Sequence, residues 1–101
     1  MTIRTEKNSV TSIILYPIDR LDTAAAPLLE KKIQQLENDI TDITLDLSQL
    51  SYISSMGLRV LLQAKKLLNE QGKQFIVKNM SESVREVFEM TGFINLIFID
   101  T

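Results

Sequence analysis

The stretch Ile43–Leu68, ITLDLSQLSYISSMGLRVLLQAKKLL, decides the fold. It opens on Ile43-Thr44-Leu45-Asp46-Leu47, a short run of strand length in which Asp46 reads as structural. A loop follows, and then Leu58, Leu61, Leu62, Ala64 and Leu68 recur along one helical face, with Gly72 to end the helix. Beyond it, Phe75-Ile76-Val77 is a continuous apolar run, as expected of a strand covered on both faces. Strand, helix and second strand make a crossover unit, which places the two strands parallel.

On the N-terminal side, Val10 to Tyr16 is apolar and rich in β-branched residues. A stretch around Ile3 to Thr5 can pair with it across Glu6-Lys7-Asn8-Ser9, giving a hairpin whose second strand closes at Pro17. Ala25, Leu29, Ile33, Leu36 and Ile40 then mark an amphipathic helix. Asp22 or Thr23 can cap it, and Pro27 falls in or near its first turn, where a missing N–H costs little. On the C-terminal side, Ser83 and Glu86 have capping-box spacing, Val84, Val87 and Phe88 form a stripe, and Thr91-Gly92 ends it. Leu96-Ile97-Phe98-Ile99 reads as a last strand. The expected fold is one α/β domain over residues 1–101, in the order β-β-α-β-α-β-α-β: a mixed, mainly parallel sheet with an N-terminal hairpin, covered by helices.

Composition narrows the function. The chain has 101 residues, no Cys and no His, which removes thiolate and imidazole metal ligands, thiol nucleophiles, Ser-His-Asp relays and disulfides. No metal or cofactor is expected. A net charge of -2 argues against direct nucleic-acid binding, and the Lys31-Lys32 and Lys65-Lys66 pairs read as solvated helix faces. No stretch has the length of a membrane span and the N-terminus lacks a signal-peptide core, so no membrane insertion is expected and the cytoplasm is the expected address. Nothing demands more than a monomer.

In sheets of this kind chemistry gathers beyond the carboxyl ends of the parallel strands. Two loops there are distinctive, Asp19-Arg20-Leu21-Asp22-Thr23 and Ser51 to Arg59; if their strands are parallel neighbours, both leave the same edge. The second places Ser54, Ser55 and Gly57 where a helix begins. Unpaired N–H groups and partial positive charge at a helix N-terminus accept a capping hydroxyl or an anion. On spacing alone a serine here is a cap, and Gly57 serves a tight turn or close packing.

The stretch Asp46 to Leu62, DLSQLSYISSMGLRVLL, also resembles the signature of bacterial anti-sigma factor antagonists, the stand-alone sulfate transporter and anti-sigma factor antagonist (STAS) domains. Arg20-Leu21-Asp22-Thr23 followed by Ala26-Pro27 is similar to the family's approach to its first helix, and Val84 to Phe93 to its C-terminal part. The resemblance implies partner switching. Unphosphorylated protein binds an anti-sigma factor serine kinase and releases its sigma factor; phosphorylation of Ser55 abolishes binding, and a serine phosphatase reverses it. Asp22, Thr23, Ser54, Met56, Gly57, Leu58 and Arg59 are the implied partner-binding residues, with Met56 the most exposed and Leu58 and Ile53 closer to the core. This chain has Ser54 and Met56 where many members have Asp before and Ser after the acceptor, and Arg59 where some have Gly. A second reading within the fold is a non-phosphorylated subunit of a lipid-transport ATPase complex. An enzyme built on Ser55 with Asp22 or Asp46 lacks a His base, a Ser-x-x-Lys arrangement and a phosphate-binding Gly-rich loop.

Overall fold

A ten-residue strand, Ser12–Leu21, organises the molecule because its two halves have different neighbours. In the computed structural model, which describes residues 1–95 and the backbone of 99 and 100, this strand is β2. From Ile13 to Ile18 it pairs antiparallel with β1 (Thr2–Lys7), the expected hairpin. Its first half, Ser12 to Leu15, pairs parallel with β3 (Asp42–Asp46), and its end, Asp19 to Leu21, pairs parallel with β4 (Leu50–Ile53). The sheet continues from β3 to β5 (Gln74–Lys78) and then to a short β6 (Ile99–Asp100), both parallel. The six-stranded sheet therefore runs β1-β2-β3-β5-β6, with β4 beside the far end of β2. Residues 96–98 of the expected last strand lie outside the described residues.

Three helices connect these strands: α1 (Ala26–Gln34), α2 (Ser55–Glu70) and α3 (Glu82–Thr91). A turn of 3₁₀ helix over Phe93–Asn95 follows α3. Leu29 and Ile33 of α1, Leu58, Leu61 and Leu68 of α2, and Leu15, Ile43, Leu45, Phe75 and Val77 of the sheet form one buried core. Each large side chain so buried contributes roughly 1.5–3 kcal/mol relative to exposure.

Four local expectations are corrected. Pro17 does not close β2; it lies buried inside the strand. Its lost N–H is tolerated because residues 16–18 fall between the β3 and β4 pairings, where that side of β2 has no ladder partner. Helix α1 stops at Gln34, although the apolar period runs on to Leu36 and Ile40. Ile40 is nevertheless 2% exposed, so burial of the loop, not helix, accounts for the last apolar position. The cap of α3 is Ser81, whose Oγ accepts from the Val84 N–H at 3.3 Å, so Ser83 and Glu86 are not a capping box. Finally, Leu50–Ile53 is a strand and not part of a loop. Gly72 and Gly92 do stand at the ends of α2 and α3 in left-handed geometry, φ 73° and 78°, which suits residues without a Cβ.

Candidate functional site

Strand β4 settles where the two distinctive loops lie. Because β2 and β4 are parallel neighbours, with Arg20 opposite Tyr52 and Leu21 opposite Ile53, both chains leave the sheet at the same end. The loops are tied directly: the Ser54 N–H donates to the Leu21 carbonyl at 2.9 Å. Gly57 packs onto the same carbonyl. A Cβ on Gly57 would lie 2.8 Å from Leu21 O and 2.9 Å from both Leu21 Cγ and Ile53 Cγ1, so the close seat of α2 on β2 requires glycine here.

This seat separates the two serines. Ser54 is the N-cap of α2; its Oγ accepts from the Gly57 N–H at 3.2 Å and it is half-buried. Ser55 is the first helical residue, exposed, and its hydroxyl has no hydrogen-bond partner among the described residues. One serine closes the helix end, and the other projects from it.

Around Ser55 the predicted contact residues divide. Arg59 is exposed, one turn further along α2 and on the same face as Ser55. Met56 is half-buried and packs against the core, so it is less exposed than expected. Leu58, 1% exposed, and buried Gly57 offer no side chain to a partner; both are corrections to the expected contact set, because the stripe that seats α2 on the sheet includes them. Ile53 is core as well.

In the other loop Thr23 is exposed and Asp22 half-buried. Asp22 Oδ1 accepts from the Ala25 N–H at 2.9 Å and the Asp22 carbonyl accepts from the Ala26 N–H at 2.9 Å. Asp22 thus secures the turn that enters α1, while the N-cap position is Ala25, whose own side chain has no oxygen to cap the helix. Thr23 caps nothing. Beside Asp22 opens a cleft of about 550 Å³ that Ile18, Asp19, Arg20 and Leu28 help line.

The pairing of β2 with β4 adds a feature that sequence spacing did not reveal. Arg20 stacks over the Tyr52 ring, 4.2 Å from its centroid, with Asp22 Oδ2 at 3.9 Å from Arg20 Nε. Asp19, just before, has φ 75° and sits at a register shift in β2; its carbonyl accepts from Ser51 Oγ at 2.8 Å. The only cue in the sequence was an arginine and a tyrosine in separate loops.

Asp46 ends β3 on the same edge and is 6% exposed. Burial opposes its charge, but hydrogen bonds from Ser48, including its N–H at 2.9 Å, and from Asn79 Nδ2 at 2.9 Å prevail. With Lys78 nearby, they hold its carboxyl below the ordinary range. It ties the ends of β3 and β5, the structural role read from its place in a strand. Among the described residues no group of His, Cys, Asp or Glu has the arrangement of a metal site.

The STAS domain family model matches residues 2–101. An anti-sigma-B factor antagonist of Bacillus subtilis is 32% identical over 79 residues, covering 78% of this chain and 72% of the relative. The chain belongs to the STAS-domain family of anti-sigma factor antagonists. This STAS domain is also 36% identical over 77 residues to a Bordetella bronchiseptica protein provisionally named an anti-sigma factor antagonist, BtrV. That match spans 75% of this chain and 66% of the relative. The STAS fold is shared with the antagonist SpoIIAA in its unphosphorylated form, TM-score 0.76 at 20% identity, covering 99% of this chain and 88% of that one. The phosphorylated form of SpoIIAA from Bacillus gives a TM-score of 0.74 at 22% identity, over 99% and 92%.

Proposed function

We infer that this STAS domain is a partner-switching regulator, not an enzyme, and that Ser55 is its control point. In this reading the unphosphorylated form binds an anti-sigma factor serine kinase and frees the sigma factor that the kinase held. Phosphate on Ser55 abolishes that binding, and a serine phosphatase restores it. The observation that carries the choice of acceptor is the division of labour at the start of α2: Ser54 spends its hydroxyl on the Gly57 N–H, whereas Ser55 is exposed and unbonded among the described residues. That SpoIIAA has been solved in a phosphorylated form supports phosphate control within the fold.

The physics of the position suits an on/off control. A phosphate adds roughly -1.5 to -2 charge at neutral pH. At the first residue of α2 the free N–H groups and the helix dipole tolerate that charge, and Arg59 one turn on is placed to pair with it. The domain has no need to rearrange, so the effect stays at the surface. A partner carboxylate about 5 Å from the phosphate feels roughly 3 kcal/mol per added unit of charge at an effective dielectric near 20. That is more than a hundredfold in affinity. Asp22, Thr23, Met56 and Arg59 supply the accessible surface around Ser55, and Ser54, Gly57 and Leu58 hold that surface in place.

Incubation with the cognate kinase and ATP, followed by mass spectrometry, should put the phosphate on Ser55. Phosphate on Ser54 refutes the assignment of acceptor, and an unmodified chain beside an active kinase refutes the reading as a whole. Ser55→Ala should still bind the kinase and Ser55→Asp should bind it poorly.

A further inference from the structure

Strand β1 ends the sheet, and its outer edge has no strand partner among the described residues. Five of its six residues are exposed; Ile3, half-buried, packs against the core. An edge without proline or bulge is a template for a further strand unless its charges repel one. Here they do not simply repel, because Arg4 and Glu6 have opposite signs and stand two residues apart on one face. Tyr16, opposite Arg4 in the ladder, places its hydroxyl 3.1 Å from Glu6 Oε2 and donates to it. Arg4 has no ion pair among the described residues.

A second copy of β1 can join this edge only in certain registers. When two copies of one strand form a continuous antiparallel sheet, the two-fold axis stands perpendicular to the sheet and each residue keeps its face. The axis must then pass beside a residue that faces its own copy. Centred on Arg4, Glu6 or Lys7, the pairing sets a charge against itself, which destabilises it. Centred on Ile3, it leaves Glu6 and Lys7 unpaired. Centred on Thr5, it sets Arg4 opposite Glu6 twice and aligns Ile3 to Lys7 of each copy without a like-charge contact.

We propose that the outer edge of β1 is a self-association surface, on which a second copy of this chain pairs antiparallel about Thr5 through two reciprocal Arg4–Glu6 contacts. The sheet then runs through both copies, and the monomer expected from the sequence is the dissociated form. A short strand pairing with exposed charges makes a weak dimer, populated at high concentration. Ser55 lies beyond the ends of β2 and β4 and not on this edge, so the proposal stands or falls independently of phosphorylation.

Sedimentation equilibrium of the full chain up to about 1 mM tests it. The wild type should show a dimer fraction that grows with concentration. Arg4→Glu and Glu6→Arg should each weaken association roughly tenfold or more, since each turns both cross-strand contacts into like-charge pairs. Mixing the two variants should restore association, because the mixed pair regains both opposite-charge contacts. A wild type that stays monomeric at about 1 mM overturns the proposal. So does an Arg4→Glu variant that dimerises like the wild type, or a mixture of folded variants that does not associate.

Discussion

Gly57→Ala should unseat α2. The added methyl meets the Leu21 carbonyl at 2.8 Å and two side-chain carbons at 2.9 Å, all belonging to buried residues at the ends of β2 and β4. A flexible side chain would yield cheaply, but a backbone carbonyl in a strand end does not, so relief comes from moving the helix. Overpacking of this kind costs about 1–3 kcal/mol or more. Alanine recovers up to about 1 kcal/mol of helix propensity over glycine. The clash prevails, and the net loss is about 1–2 kcal/mol, equivalent to a fall in Tm of roughly 5–15 °C for a domain of this size. The same Leu21 carbonyl accepts the Ser54 N–H, so a displaced helix also weakens the contact that fixes the two loops together. Thermal unfolding followed by circular dichroism, together with the rate of the proposed phosphorylation of Ser55, reads both effects. A Tm equal to or above that of the wild type would falsify the steric argument, because propensity would then have outweighed the clash.

Ser54→Ala removes the cap of α2 and should cost about 1 kcal/mol, while Ser54→Asp keeps a capping oxygen and should hold most of the wild-type Tm. At Asp19, with φ 75°, Asp19→Val should destabilise by about 1–2 kcal/mol in urea titrations, whereas Asp19→Gly should not, because a β-branched side chain is strained most in left-handed backbone and glycine has no Cβ to strain. Asp46 makes stability pH-dependent. Its folded pKa lies below the ordinary carboxylate value of about 3.9, so its contribution is fully present above that value and is lost as pH falls through the folded pKa. Asp46→Asn should therefore lower stability at pH 7 and flatten the acid limb of the stability profile; an unchanged acid limb counts against the hydrogen-bonded carboxylate.

The parts that could be read from the sequence are those whose signals are periodic or local. The hairpin of β1 and β2, the apolar stripes of α1 and α2, and the run Phe75 to Val77 all announce themselves by spacing, whereas Ser55 is singled out only by the resemblance of its loop to the family signature, since spacing alone reads a serine there as a cap. Strand β4 was illegible because Leu50–Ile53 is four residues long and buried only at its two ends, with no alternation to mark it. Ile40 carried a helical spacing into a buried loop, since burial selects for apolar residues whatever the local backbone does. The misplaced cap of α3 has a similar origin: Ser81 and Ser83 both precede the helix, and only the backbone shows which one bonds to its N–H groups.

Sequence alone determined the class of fold, the absence of thiol and imidazole chemistry, and the loop that carries the candidate serine, because each depends on residue identity or short-range period. Tertiary structure decided which serine keeps its hydroxyl unbonded among the described residues and which side chains around it are exposed. Those facts follow from β4 lying beside the end of β2. That contact between distant segments brings the Leu21 carbonyl to Ser54 and Gly57, turns Leu58 into the core, and leaves Ser55 and Arg59 on the outside.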